Sequence, residues 1–124
     1  MGFFRSASGR YETGQLRVAL AQVNPTLGDL AGNSDLICEY AGKAEAAGAH
    51  VLIFPEMVIT GYPVEDLALR QTFRAASKAG VLDVAGRLLN QGGGEILTVI
   101  GYLDASLEGR PQNAIALIYR GEIV

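Results

Sequence analysis

The chain has 124 residues, of which 49% are apolar and one is cysteine, and its formal net charge is −3 at pH 7. So large an apolar fraction excludes disorder for the bulk of the chain, and the length suits one domain. The acidic balance argues against nucleic-acid partners, and a single cysteine excludes an internal disulfide. We expect a cytoplasmic protein, and no apolar run approaches the roughly 20 residues that would span a membrane.

The domain is predicted to begin after a loose leader over residues 1–14 and to cover residues 15–124. Its first strand is predicted over residues 16–23 (LRVALAQV), where apolar side chains alternate onto both faces. That pattern predicts a strand covered on both sides. Pro25 ends the strand because proline lacks the N–H that a central strand donates.

A helix is predicted over residues 33–47. Asn33 or Ser34 can cap its start, and Gly48 stands where glycine often follows a helix. Asp35 adds favourable negative charge to the first turn. Three apolar residues at helical spacing predict the buried stripe: Ile37, Ala41 and Ala44.

A short apolar strand is predicted over residues 50–54, and Pro55 ends it. A helical region follows over residues 65–90, with a break near Gln71. The glycines at 92–94 turn the chain into the next strand rather than forming a phosphate-binding loop. The predicted inner face of the helical region consists of Phe73, Ala76, Gly80, Val84 and Leu88.

Three strands complete the predicted order, over residues 96–103, over 113–119 and after a tight turn at 120–122. The resulting order β-α-β-α-β-β-β predicts the α/β class. Strands that alternate with helices indicate parallel pairing in the first half, and the last three strands indicate a meander.

Glu56 is the strongest candidate for chemistry because it directly follows Pro55 at the end of the second predicted strand. Ligands of open α/β sheets bind at the carboxyl ends of strands. A carboxylate sheltered beside so apolar a run would be desolvated, which suits a general base. The alternative is a glutamate that points into solvent or pairs with an arginine.

Four segments carry a family resemblance: LRVALAQVNPTLGDLAGN, GAHVLIFPEMVITGYPVEDLALR, IGYLD and QNAIALIYRGEIV. Together they resemble the amino-terminal glutaminase domain of glutamine-dependent NAD synthetases, a branch of the nitrilase (carbon–nitrogen hydrolase) superfamily. The resemblance implies a four-layer α-β-β-α sandwich with two packed sheets. This chain would supply its front portion, and the carboxy-terminal half of the domain would be missing.

The same resemblance implies a catalytic set of glutamate, lysine and cysteine. Glu56 matches the glutamate, the general base that takes the thiol proton, and Tyr62 matches an aromatic residue near the glutamine pocket. The family lysine and cysteine would lie beyond Val124, so we expect the isolated chain to be inactive. A thiolate would attack the glutamine side-chain amide, and the lysine would stabilise the oxyanion.

In the family, ammonia passes to a second, ATP-dependent domain that amidates deamido-NAD. The resemblance therefore implies ATP, magnesium and deamido-NAD for that domain, no cofactor or metal in this segment, and a homo-oligomer for the whole enzyme. Two alternatives stay open, a fragment of a stand-alone amidase of the superfamily and a non-catalytic remnant or scaffold piece. The run GYPVEDLALR favours the synthetase branch.

Other polar residues are predicted to have structural roles. Cys38, Lys43 and Lys78 lie inside predicted helices and outside any matching motif, so none of them is expected to complete the catalytic set. His50 opens a strand without metal ligands at suitable spacing. Glu65 and the adjacent Asp66 are predicted to lie in the first turn of a helix, and Asn113 to satisfy backbone groups of a loop.

Overall fold

The computed structural model describes residues 3–5 and 11–124, with side chains from residue 14 onward. The expected leader includes residues 1–2 and 6–10, which lie outside this description. Among the described residues, two short strands pair antiparallel: β1 (Phe3–Arg5) and β2 (Tyr11–Thr13).

The main sheet has five strands in the order β3-β4-β5-β6-β7. Its first half is parallel, with β3 (Val18–Leu20) beside β4 (Val51–Ile53) and β4 beside β5 (Leu97–Ala105). Its second half is an antiparallel meander of β5, β6 (Pro111–Tyr119) and β7 (Glu122–Ile123). From β3 onward, the predicted order of elements and the predicted pairing are confirmed; β1 and β2 lie in the segment predicted to be a loose leader.

Two helices pack on one face of this sheet, α1 (Leu30–Ala46) and α2 (Gln71–Gln91). A short 3₁₀ helix (Glu65–Leu69) precedes α2, so the predicted break near Gln71 is confirmed and falls at Arg70. The core between helices and sheet includes the predicted stripe of α1 and inward residues of the sheet: Ile37, Ala41, Ala44, Leu52, Ile100, Ala116 and Ile118.

The opposite face of the sheet is apolar and exposed. It includes Val18 and Leu20 of β3, Ile53 of β4, and Ile115 and Leu117 of β6, and we call these five residues the bare face. Leu20 is 68% exposed and Ile115 67%. The expectation that the first strand is covered on both sides is therefore wrong within the described residues, because both helices pack on the same face.

Both helix predictions need a correction. Helix α1 begins three residues earlier than predicted, because Asp29 caps it by accepting a hydrogen bond from Gly32 N at 3.0 Å. Helix α2 buries Val84 and Leu88 of the predicted inner face, whereas Ala76 is exposed and the adjacent Ser77 is buried instead. The buried residues of α2 are Ser77, Val81, Val84, Ala85 and Leu88.

Candidate active site

Glu56 lies three residues beyond the end of β4, at the carboxyl edge of the parallel half of the sheet. The chain here continues along β5, because Phe54 N donates to Val99 O at 3.0 Å and Ile59 N donates to Gly101 O at 3.3 Å. Residues 54–59 therefore lie along the same edge of β5 as β4, beyond the point at which β4 ends. This is the edge at which the sequence predicts a functional carboxylate.

Gly101 allows this segment to lie directly on the sheet. A Cβ atom at this position would lie 2.5 Å from Met57 N and 3.0 Å from Glu56 Cα, which is closer than side chains are found. Met57 itself has a left-handed backbone, with φ of 56°. Because Gly101 has no side chain, the backbone at Glu56 can lie directly against β5.

The turn after Glu56 is bound to the loop that follows β3. Gly28 N donates to Thr60 O at 2.8 Å. A Cβ atom on Gly61 would lie 2.5 Å from Leu27 Cα, so the two backbones are in close contact there. The loops at the carboxyl ends of two neighbouring parallel strands therefore support each other.

Asn33 of α1 joins these two loops from beneath. Its side chain is 2% exposed, and its amide nitrogen donates to Thr26 O at 2.8 Å and to Ile59 O at 3.0 Å. Its side-chain oxygen accepts from Thr26 N at 2.8 Å. Asn33 is thus not the helix cap that the sequence predicts, and its side chain positions the segment that carries Glu56.

Asn113 of β6 contacts Glu56 directly. Its side-chain amide nitrogen donates a hydrogen bond to Glu56 Oε1. The expectation that Asn113 satisfies loop backbone groups is wrong, because the residue lies inside β6 and its side chain reaches across to the carboxylate. The sequence carries one signal that could have indicated this contact, because Asn113 is a polar residue that alternates with the apolar Ile115 and Leu117.

The expected shelter around Glu56 does not occur among the described residues. Its side chain is exposed, and the bare face next to it has no layer packed on it in this part of the chain. Two surface cavities of about 560 and 510 Å³ lie elsewhere, one between α2 and the β5–β6 turn, the other between the start of α1 and the start of α2. The prediction of a desolvated carboxylate is therefore wrong for the described chain.

Tyr62 follows the same turn and is 66% exposed. None of the contacts in the described part of the chain joins it to Glu56. Its assignment to a glutamine pocket stays a prediction.

The other candidates have structural surroundings. Cys38 lies in α1 against the core, and burial raises the pKa of its thiol. Lys43 pairs with Glu39 at 3.2 Å on the same helix, and Lys78 lies on α2. His50 Nδ1 accepts from the backbone N–H of Arg17 at 2.9 Å, which ties the start of β4 to the segment before β3.

The glycine turn after α2 encloses a carboxylate of the protein itself. Glu45 of α1 accepts from Gly93 N at 2.9 Å and from Glu95 N at 3.0 Å. These backbone donors are therefore already occupied, and the prediction of a helix-to-strand turn at residues 92–94 is confirmed. Glu65 and Asp66 likewise lie in the first turn of the 3₁₀ helix, as predicted.

Comparison with known proteins decides the family. The sequence model of the family described as carbon–nitrogen hydrolase matches residues 17–113 of this chain. The chain belongs to the carbon–nitrogen hydrolase family.

A curated relative narrows the comparison within this carbon–nitrogen hydrolase family. The chain is 38% identical over 110 residues to the glutamine-dependent NAD(+) synthetase of Thermotoga maritima. The alignment covers 89% of this chain and 18% of that protein. The chain therefore spans less than a fifth of the length of this curated relative.

Solved structures of carbon–nitrogen hydrolases confirm the fold. A crystal structure of a glutamine-dependent NAD(+) synthetase from Cytophaga hutchinsonii matches with a TM-score of 0.78 at 26% identity, over 87% of this chain and 18% of that one. An amidase from Nesterenkonia sp. matches with a TM-score of 0.65 at 25% identity, over 88% of this chain and 40% of that one. The chain thus has part of a nitrilase fold, in which one layer of helices packs on the five-stranded sheet.

Proposed function

We propose that this chain is the front portion of the glutaminase domain of a glutamine-dependent NAD synthetase, and that Glu56 is its general base. The observation that carries the proposal is the position of Glu56. The residue stands at the carboxyl end of a parallel strand, is supported from below by Gly101 and is hydrogen-bonded by Asn113. The similarity to named synthetases supports the choice of glutamine as substrate.

The proposed chemistry begins with a proton transfer. Glu56 takes the proton of a cysteine thiol supplied from outside this chain, and the thiolate attacks the carboxamide carbon of glutamine. The C–N bond then breaks as the nitrogen takes up a proton and leaves as ammonia. Water cleaves the thioester and releases glutamate, while a lysine, also from outside this chain, stabilises the oxyanion in both steps.

The bare face supports the proposal that further residues complete the domain. A contiguous apolar surface on a monomer usually marks a missing partner. We propose that the second sheet of the sandwich, contributed by residues outside this chain, packs on the bare face. Packing there would also bury the surroundings of Glu56 and supply the shelter that the described chain lacks.

The proposal extends to the whole enzyme, called the parent protein below. The parent protein would pass ammonia to an ATP-dependent domain that uses magnesium and deamido-NAD, and would act as a cytoplasmic homo-oligomer. Within the described residues, neither helix is long and apolar enough to cross a membrane. Tyr62, in this proposal, lines the glutamine pocket.

The similarity to the amidase supports a second candidate, a fragment of a stand-alone carbon–nitrogen hydrolase. The larger TM-score and the curated relatives favour the synthetase. A third candidate is a non-catalytic remnant. The coding sequence after Val124 separates the remnant from the enzymes: a lysine and then a cysteine followed by Glu-Asp supports an enzyme, whereas a stop codon supports the remnant.

Glutamine hydrolysis by the parent protein tests the role of Glu56. Replacement of Glu56 by glutamine keeps the shape of the side chain and removes the base, so we expect glutaminase turnover to fall by at least about 100-fold. Replacement of Glu65 by glutamine is the matched control, since it removes a carboxylate from the first turn of the 3₁₀ helix. Undiminished turnover in Glu56→Gln would refute the proposal.

A further inference from the structure

We propose that Asn113 is a positioning residue, whose side-chain amide holds the Glu56 carboxylate in the orientation that a general base requires. The inference rests on the proposed function of Glu56. It starts from the hydrogen bond that Asn113 Nδ2 donates to Glu56 Oε1. This bond orients the carboxylate through Oε1, and in the proposed geometry Oε2 is the oxygen that receives the proton.

The donor stands on a rigid part of the sheet. Asn113 pairs with Leu103 in a ladder of eight residue pairs between β5 and β6. Leu103 is fixed on its other side, because its backbone N–H donates to Ser77 Oγ of α2 at 3.0 Å. Groups carried by regular elements are held more precisely than groups on loops. Asn113 therefore provides a fixed point for a carboxylate that lies on a loop.

The backbone of Glu56 is fixed relative to the same ladder. Gly101 pairs with Ile115, two residues from Asn113 along β6, and Glu56 Cα lies against Gly101. The separation between the carboxylate and the amide is thus set by the spacing of neighbouring strands. A change in side-chain chemistry at Asn113 should leave the backbone of Glu56 in place.

The chemistry of the pair fits a proton acceptor. A side-chain amide nitrogen has donors only, so it can satisfy an ionised carboxylate oxygen without competing for the proton. The alternating neighbours of Asn113 along β6, Ile115 and Leu117, are apolar and belong to the bare face. An isolated amide in that row is explained by its contact with Glu56.

The test measures glutamine hydrolysis by the parent protein with four single substitutions. Asn113→Leu removes the amide at similar volume, Asn113→Gln keeps it on a longer arm, and Glu56→Gln removes the base. Gln112→Leu is the matched control, because it removes an amide from the opposite side of the same strand. Each variant is compared by kcat, by KM for glutamine and by its thermal unfolding midpoint.

We expect Asn113→Leu to lower kcat by about 10- to 100-fold with little change in KM or in the unfolding midpoint. Asn113→Gln should recover part of that loss, and Gln112→Leu should match the unmodified protein. The double variant Glu56→Gln/Asn113→Leu should be no slower than Glu56→Gln alone, because the amide acts only through the carboxylate.

Three results would overturn the inference. They are an unchanged kcat in Asn113→Leu, a loss of activity that follows the fraction of unfolded protein, and additive losses in the double variant. If Asn113→Leu does not fold, the comparison of Asn113→Gln with Gln112→Leu decides by the same criteria. Full turnover in Glu56→Gln would instead refute the proposed function, so the two failures can be told apart.

Discussion

The amide nitrogen of Asn33 lies 3.0 Å from the carbonyl oxygen of Ile59 and donates a hydrogen bond to it. This contact connects the first turn of α1 to the segment that carries Glu56. It is buried, and the same side chain also exchanges two hydrogen bonds with the backbone of Thr26. A single amide therefore joins the loops that follow β3 and β4.

Replacement of Asn33 by alanine should destabilise the parent protein by about 2 kcal/mol or more, because three backbone groups lose their buried partner. The unfolding midpoint in urea measures this loss. Glu39→Ala on the same helix is the control, since it breaks an exposed ion pair with Lys43 that is worth about 0.5 kcal/mol or less. Equal midpoints for the two variants would show that the buried amide contributes little.

Replacement of Gly101 by alanine should displace Glu56 and lower glutaminase turnover together with stability. The added methyl group would lie 2.5 Å from Met57 N, so the segment after β4 must move. Gly86→Ala on α2 is the matched control, because its Cβ meets nothing within 4 Å. That control should stabilise the protein by about 0.5–1 kcal/mol, as alanine does in a helix. Normal turnover in Gly101→Ala would contradict the role of this close contact.

The 124-residue chain alone should self-associate through the bare face. Light scattering and sedimentation measure the association, and a double substitution of Leu20 and Ile115 by lysine should reduce it, because it places a charge on either side of that face, on β3 and on β6. Leu82→Lys is the control, since Leu82 is exposed on α2, on the other side of the molecule. A monodisperse, cooperatively melting monomer of the unmodified chain would contradict the prediction.

Cys38 should react slowly with a thiol reagent in the folded chain and quickly in urea. Burial raises the pKa of its thiol, so at pH 8 a smaller fraction is thiolate than in the unfolded chain. The raised pKa also makes the folded chain less stable as pH rises. Above the ordinary pKa of 9.0 the thiol loses its proton in the unfolded state but keeps it in the folded state, so a higher pH favours unfolding. Rates of iodoacetamide labelling measure the difference, with Cys38→Ser as the blank, and equal rates in both states would refute it.

The fold was predictable wherever local chemistry decides it. Periodic apolar residues gave the strands and the stripe of α1, and Pro55 and the glycines at 92–94 marked the ends of elements. The predicted start of α1 is three residues late, because aspartate and asparagine both favour helix starts and the sequence alone does not show that Asp29, rather than Asn33, caps the helix. Coverage of the first strand could not be predicted, since an apolar pattern does not say which residues cover it.

The sequence predicted one residue of the candidate site, Glu56, but not the residues that hold it in position. The proline after β4 located Glu56, but Asn113 is 57 residues away, and its contact depends on the register of β5 and β6. Asn33 looked like a cap because asparagine favours helix starts, and only the fold shows its buried partners. Gly101 was detectable as a lone glycine inside a strand, which often marks a close approach of backbone.

All of the supports described for Glu56 come from residues 26–113, through Asn33, Gly101 and Asn113. During synthesis on a ribosome, this stretch emerges as one continuous piece. The geometry around the base can therefore form before later parts of a longer polypeptide have emerged. A nascent chain released at this stage would carry an arranged proton acceptor, and its uncovered sheet would be a point at which chaperones could bind.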